Sequence, residues 1–213
     1  MSVREAQKNT RRRAILDAAR SLILDGKERD FSMLTLAEKA GVSLVTPYNL
    51  FGSKSSILLE IVREDIYDRI VHVEALVSES LAEWVAALSA TLAEVYYKNR
   101  HFYRRMIVTL VAQQNADTQR ASLEFSYRTF ENALSHLQER GILPATVPVD
   151  LLARQCAHSV SGSLQQRLMQ RGTEELLRRE IELGLLFLLA GICADKDRQV
   201  LRDRINELAR LPG

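Results

Sequence analysis

Residues 32–54, S-M-L-T-L-A-E-K-A-G-V-S-L-V-T-P-Y-N-L-F-G-S-K, decide the fold of this 213-residue chain. They read as two short helices broken at Gly41 and followed by the start of a third. Leu36, Ala37 and Ala40 give the first helix a small apolar face, and Gly41 permits the left-handed backbone that stops it. Val42 then plugs the angle between the helices, and Ser43 is expected to cap the second one through its hydroxyl. The stretch is a helix-turn-helix, with residues 44–50 facing outward.

Working outward, the apolar positions recur at helical spacing almost everywhere. Ile15, Ala18, Ala19, Leu22 and Ile23 predict a helix over 10–25, and Ser32 rather than Thr35 is expected to cap the next. Lys54 opens a long helix with the stripe Leu58, Val62, Ile66, Ile70, Val73 and Val77, read as the mechanical link between two domains. Ser80 and Glu83 open another with Leu81, Trp84, Val85, Leu88, Leu92 and Val95. Phe102, Met106, Ile107, Leu110 and Val111 mark a shorter one, and Leu123, Tyr127, Phe130, Leu134 and Leu137 define one that Gly141 ends. Further helices are expected over 149–170, from a Thr173 cap to about 193, and over 198–211. Pro47 is the only proline before Pro144, and no alternating strand pattern occurs. The class is therefore all-α, an amino-terminal three-helix unit followed by a larger helical domain.

Composition bounds the function. The net charge is +2, but residues 1–54 carry ten Lys or Arg against six Asp or Glu, a surplus of four, and the remainder is at minus two. Arg4, Lys8, Arg11, Arg12 and Arg13 make the first residues a basic arm suited to phosphate. The two cysteines, Cys156 and Cys193, form no Cys-x-x-Cys pattern and read as buried reduced thiols of a cytoplasmic protein. The most apolar run, 183–193, is short of the roughly 20 residues a membrane span needs, and no signal peptide is legible. His158 lies two residues from Cys156, which points the two side chains apart, and His72, His101 and His136 have no ligand spacing, so neither a metal nor a cofactor is expected. Gly52-Ser53-Lys54 lacks the spacing of a phosphate loop, and 159–163 lacks the glycines of a nucleophile elbow. An enzyme, or a helical interaction module without DNA, are the alternatives.

The stretch resembles the DNA-binding half of the tetracycline-repressor (TetR) family, whose pattern is Ile-Ala-x-x-Ala-Gly-Val-Ser, x-x-x-x-Tyr-x-x-Phe, x-x-Lys. Leu36 and Ala37 begin it, Ala40 to Ser43 match residue for residue, and Tyr48, Phe51 and Lys54 fall in register. Upstream, Ile15, Leu16, Ala18, Ala19, Leu22 and Gly26 look like that family's first helix. Leu44, Pro47 and Leu50 depart from its usual residues, leaving the recognition helix poor in hydrogen-bonding groups. The resemblance implies a basic arm over 1–9, a DNA-binding domain over 10–70 and a ligand-binding and dimerisation domain over 78–211. It implies a DNA-contacting set of Thr35, Ser43, Leu44, Val45, Thr46, Tyr48, Asn49 and Lys54. Tyr48 and Lys54 would hold phosphates, Asn49 would pair with adenine, and Leu44 and Val45 would pack on thymine methyls. Trp84, Leu88, Phe102, Met106, Tyr127 and Phe130 would line the pocket of an effector, apolar or aromatic in kind. The helix over 174–193, apolar on every side at its end, would form a homodimer with that over 149–170. The whole would be a ligand-responsive regulator, a repressor on a near-palindromic operator.

Overall fold

The computed structural model describes residues 2–25, 31–75, 80–112, 116–170, 172–193 and 195–211, which form ten α-helices and no strand. These are α1 (Val3–Asp25), α2 (Met33–Lys39), α3 (Val45–Phe51), α4 (Lys54–Ala75), α5 (Leu81–Lys98), α6 (Arg100–Ala112), α7 (Ala116–Glu139), α8 (Val149–Met169), α9 (Glu174–Ala190) and α10 (Asp195–Ala209). Gly26 and Val77, and the side chains of Ile66, Ile70, Val73, Ile107, Leu110 and Val111, lie outside the described residues.

Two compact units result. The first comprises residues 1–65 and 99–121, the second 66–98 and 122–213. In the first, α1 packs on α2, α3 and α6, with Ile15, Leu16, Ala19, Leu36, Ile57, Leu58 and Ile61 essentially without exposure. Arg20 of α1 donates twice to Asp65 of α4, at 3.0 and 2.7 Å, and the Tyr103 hydroxyl of α6 donates to the same carboxylate at 2.6 Å. Arg105 reaches the Ile23 carbonyl near the end of α1 at 3.2 Å. Helix α6, grouped by the sequence reading with the later domain, is thereby part of the first unit.

Helix α1 begins at Val3, not Thr10. Ser2 receives the Glu5 and Ala6 amides on its carbonyl, and its hydroxyl accepts from the Glu5 amide at 3.3 Å. Ser2 and Glu5 have capping-box spacing, a polar signal that a search by apolar stripe passes over. The expected arm is therefore the solvent-facing first turns of a helix.

The second unit is arranged about α9, which packs on α5, α8 and α10. Thr173 caps it by accepting from the Leu176 amide at 3.2 Å. Leu177, Ile181, Leu185, Leu186 and Leu189 are buried, while Phe187 is 63% exposed. Most of the all-round apolar surface expected to need a partner is thus covered within the chain. Gly184 of α9 lies so close to α8 that a Cβ there would fall 2.3 Å from the Ser159 hydroxyl. Helix α7 ends where Gly141, at φ 73°, lets the Gly141 and Ile142 amides reach back to Gln138 and Leu137. Both cysteines are free and buried, and burial pushes the Cys156 thiol up to about 12.

Among the described residues, one acidic side chain is fully enclosed. Glu182 of α9 has no exposure. Its carboxylate accepts from Arg204 Nε of α10 at 2.7 Å and lies 3.6 Å from Arg178, and Arg204 also meets Glu207 at 2.7 Å. Removing one partner of such a pair strands the other in low dielectric. Arg204→Met is expected to cost about 3 kcal/mol in urea unfolding. The double variant with Glu182→Leu should recover most of that loss, because no charge is then left buried.

Candidate nucleic-acid interface

The turn between α2 and α3 is built as its residues dictate. Gly41 has φ 65°, and the Gly41 and Val42 amides return to the Glu38 and Ala37 carbonyls at 3.1 and 3.0 Å, closing α2 in a Schellman motif. Ser32 caps the other end of α2, its hydroxyl accepting from the Thr35 amide at 3.0 Å. Thr35 is half-buried, and its hydroxyl pairs with that of Ser32 at 2.9 Å.

The same device recurs twice. The Ser43 hydroxyl pairs with Thr46 Oγ1 at 2.8 Å, and Ser53 pairs with Ser56 at 2.9 Å while accepting the Ser56 amide at 3.1 Å. Ser43 therefore departs from the expected cap. Its backbone carbonyl, not its side chain, receives the Thr46 amide, and α3 starts at Val45 with Leu44 already in the helical region at φ −52°, ψ −33°. Pro47, third in the helix, is buried and needs no amide partner at that position.

Exposure divides α3 cleanly. Leu44, Val45, Tyr48 and Asn49 are exposed, whereas Pro47 is buried and Thr46, Leu50 and Phe51 are intermediate. The four outward residues recur at i, i+1, i+4 and i+5, one face of a helix. No charged side chain occurs between residues 40 and 53.

What holds this face outward is Arg12. Its guanidinium donates to the Leu50 carbonyl at 3.0 Å and to Glu60 of α4 at 2.9 Å, and lies 4.4 Å from the centre of the Phe51 ring. Glu60 is also held by Arg63, and these two arginines, against the cost of burial, keep its carboxyl below its ordinary range. The Leu50 carbonyl is one of those a helix end leaves without an internal partner. Arg12 was expected among the phosphate-facing cations; its side chain instead fastens three helices together. Arg4, Lys8, Arg11 and Arg13 are exposed along the same helix.

Lys54 is likewise engaged within the unit. Its ammonium donates to the Phe31 carbonyl at 2.7 Å and sits 4.2 Å from the centre of that ring, joining the start of α4 to the residue before the α2 cap. Burial brings its pKa from 10.5 down to about 8.

The six residues expected at an effector pocket are divided between the units. Phe102 and Met106 are buried in the first, where Arg20 stands 5.6 Å from the Phe102 ring centre and Tyr103 packs edge-on against it. In the second, Trp84, Leu88 and Phe130 are buried. Tyr127 is partly exposed, its hydroxyl 2.9 Å from His158 Nε2 and its ring 5.0 Å from the Arg154 guanidinium. Among the described residues no cluster of potential ligands could hold a metal ion, and no helix is long and apolar enough to cross a membrane.

No family model and no curated protein matches the chain. Solved structures do. Thermus thermophilus FadR, a TetR-family transcriptional repressor in complex with lauroyl-CoA, is 23% identical with a TM-score of 0.69, over 86% of this chain and 95% of that one. A TetR transcriptional regulator from Rhodococcus sp. is 20% identical with a TM-score of 0.66, over 86% and 97%. SmeT, the repressor of the Stenotrophomonas maltophilia multidrug efflux pump SmeDEF, is 21% identical with a TM-score of 0.56, over 86% and 91%. This chain has the fold of those regulators.

Two measurements test the local geometry. Arg12→Met should lose about 1.5–3 kcal/mol of stability, as expected for hydrogen bonds made by a charged group, with faster amide exchange over residues 48–52. For Lys54, the folded protein releases above pH 8 a proton that the unfolded chain holds until about 10.5. Its contribution to stability therefore rises across that window. The difference in urea midpoint between wild type and Lys54→Met should climb over that interval and be flat below pH 7.

Proposed function

We propose that this chain, which has the fold of the TetR-family regulators, is itself a member of that family and acts as a ligand-responsive transcription repressor. The observation that carries the reading is α3, a short helix set after the Gly41 turn and tied at its last turn by Arg12, with Pro47 buried and Leu44, Val45, Tyr48 and Asn49 offered to solvent. An exposed helix of that size fits the major groove, where base edges can be told apart.

Contacts divide by chemistry. The exposed cations Arg4, Lys8, Arg11 and Arg13 lie along phosphates and supply sequence-independent attraction. The Tyr48 hydroxyl, with Thr35 and Ser43 near the starts of α2 and α3, fixes register on the backbone. Leu44, Val45 and Asn49 face the bases, and Thr46, half-buried with its hydroxyl on Ser43, stands behind them. Lys54 holds the start of α4 to the residue before the α2 cap through the Phe31 carbonyl, and its ammonium, which carries three donors, is the further phosphate contact.

A single unit of this size covers one half-site, so two are needed. The dimer forms through α8 and α9, where Leu151 and Met169 are 57% and 48% exposed on the α8 stripe that includes His158 and Gly162, and Phe187 is 63% exposed on α9. Burying these aromatic and aliphatic groups against a second copy gives the association its driving force. The effector is apolar or aromatic and binds in the helical domain beyond residue 78, where Trp84, Leu88, Tyr127 and Phe130 are candidate walls, with Phe102 and Met106 lying in the first unit. The acyl-CoA held by the structurally similar FadR supports such a ligand. Release of DNA follows if the ligand binds one conformation better than the other.

Selection from random duplex DNA with purified protein, followed by footprinting, tests the reading. Two protected half-sites are expected about 34 to 36 Å apart, or a multiple of that spacing, with affinity falling steeply as salt rises. Protection of one asymmetric half-site by a stable monomer would refute the dimeric arrangement, and absence of any preferred duplex would refute the whole. Tyr48→Phe should weaken all sequences alike and leave the fold intact by circular dichroism.

A further inference from the structure

We propose that the outward face of α3 reads the C5-methyl groups of thymine, so that the bound half-site places A·T pairs, and not guanines, beneath residues 44–49. This rests on the DNA-binding reading above and adds the chemistry of the sequence that is bound.

The side chains available are few. Leu44, Val45 and Tyr48 are 43%, 60% and 48% exposed, and Asn49 is exposed beside them. Guanine is recognised in the major groove chiefly by Arg or Lys donating to O6 and N7, and cytosine by a carboxylate accepting from N4. Residues 40–53 contain none of these groups. Thr46 is half-buried, with its hydroxyl paired to Ser43 at 2.8 Å. Apart from the Ser43 and Tyr48 hydroxyls, assigned above to the DNA backbone, what remains outward is two branched hydrocarbon chains, whose counterpart in the groove is the thymine methyl, and one carboxamide, whose counterpart is adenine N6 and N7.

A scattered exposed aliphatic residue is ordinary on a protein surface. Leu44 and Val45 differ by standing side by side at the start of the helix that the Gly41 turn projects, with Tyr48 one turn further along. The occupant is set by the charge carried on the same unit. Arg12 touches both the Leu50 carbonyl and the Phe51 ring, so the part of α1 that carries exposed Arg11 and Arg13 lies against the last turn of α3. A polyanion with methyl groups set between its phosphate rows satisfies the cations and the hydrocarbon face together.

The test uses the duplex recovered by selection, resynthesised with deoxyuridine at single thymidine positions. That change removes the methyl and leaves the hydrogen-bonding edge unaltered. Wild type, Leu44→Ala and Val45→Ala, each confirmed folded by circular dichroism, are titrated against every duplex. Each contacted methyl should be worth about fourfold in affinity for the wild type, the equivalent of about 0.8 kcal/mol. The sensitivity at a given thymine should vanish in the variant that lacks its partner, a coupling that a change in DNA shape alone would not produce. Full affinity for a half-site with every thymine replaced by uracil would overturn the proposal. So would methyl sensitivity that persists in both alanine variants, or a recovered half-site with G·C pairs under α3. Selection of no duplex at all would overturn the DNA-binding reading, and this inference with it.

Discussion

The Arg12 guanidinium, bonded at once to the last turn of α3 and to Glu60 of α4, is the contact on which the presentation of the outward face depends. A seven-residue helix has little cooperative stability of its own. Every amide and carbonyl near its ends must therefore be answered from outside. Pro47 avoids the problem at one end by having no amide to satisfy. At the other, Arg12 answers the Leu50 carbonyl and covers Phe51, and a positive charge at a helix C-terminus is favourable in itself. The Ser32 and Ser53 hydroxyls, which accept the Thr35 and Ser56 amides at the starts of α2 and α4, repeat the principle on a smaller scale.

The second unit solves a different problem. Helix α9 is surrounded by α5, α8 and α10, and hydrocarbon burial along Leu177, Ile181, Leu185 and Leu189 supplies its stability. Glu182 interrupts that apolar surface and is tolerated because Arg204 and Arg178 stand against it. A buried ionic group of this kind fixes which face of α10 meets α9, since only one rotation brings Arg204 to the carboxylate. The same unit leaves Phe187 in solvent, the largest apolar exposure on α9.

The all-helical class and most helix boundaries were legible because apolar spacing and glycine punctuation are local signals, and Ser32, Gly41, Gly141 and Thr173 act where local reasoning puts them. The start of α1 was not, since Ser2 and Glu5 announce it by polar capping well before the first apolar residue of the stripe. Nor was the inward engagement of Arg12 and Lys54. A basic residue beside a helix-turn-helix reads as a phosphate ligand until the Leu50 and Phe31 carbonyls, 38 and 23 residues away in sequence, are seen to claim it. The placement of Phe102 and Met106 in the first unit was hidden for the same reason: the Arg20, Asp65 and Tyr103 cluster that accompanies α6 is long-range, and no window of sequence contains it.

The absence of charge from the outward face of α3 carries a thermal consequence. On the proposed reading, attraction to DNA and discrimination among sequences draw on different physics: the first on ions released from phosphates, the second on water expelled from hydrocarbon. Expulsion of water from apolar surface weakens on cooling and lowers heat capacity. The preference for the correct site would then sharpen as the temperature rises toward ambient, and its calorimetric imprint would be a heat-capacity decrement larger than that of indiscriminate binding.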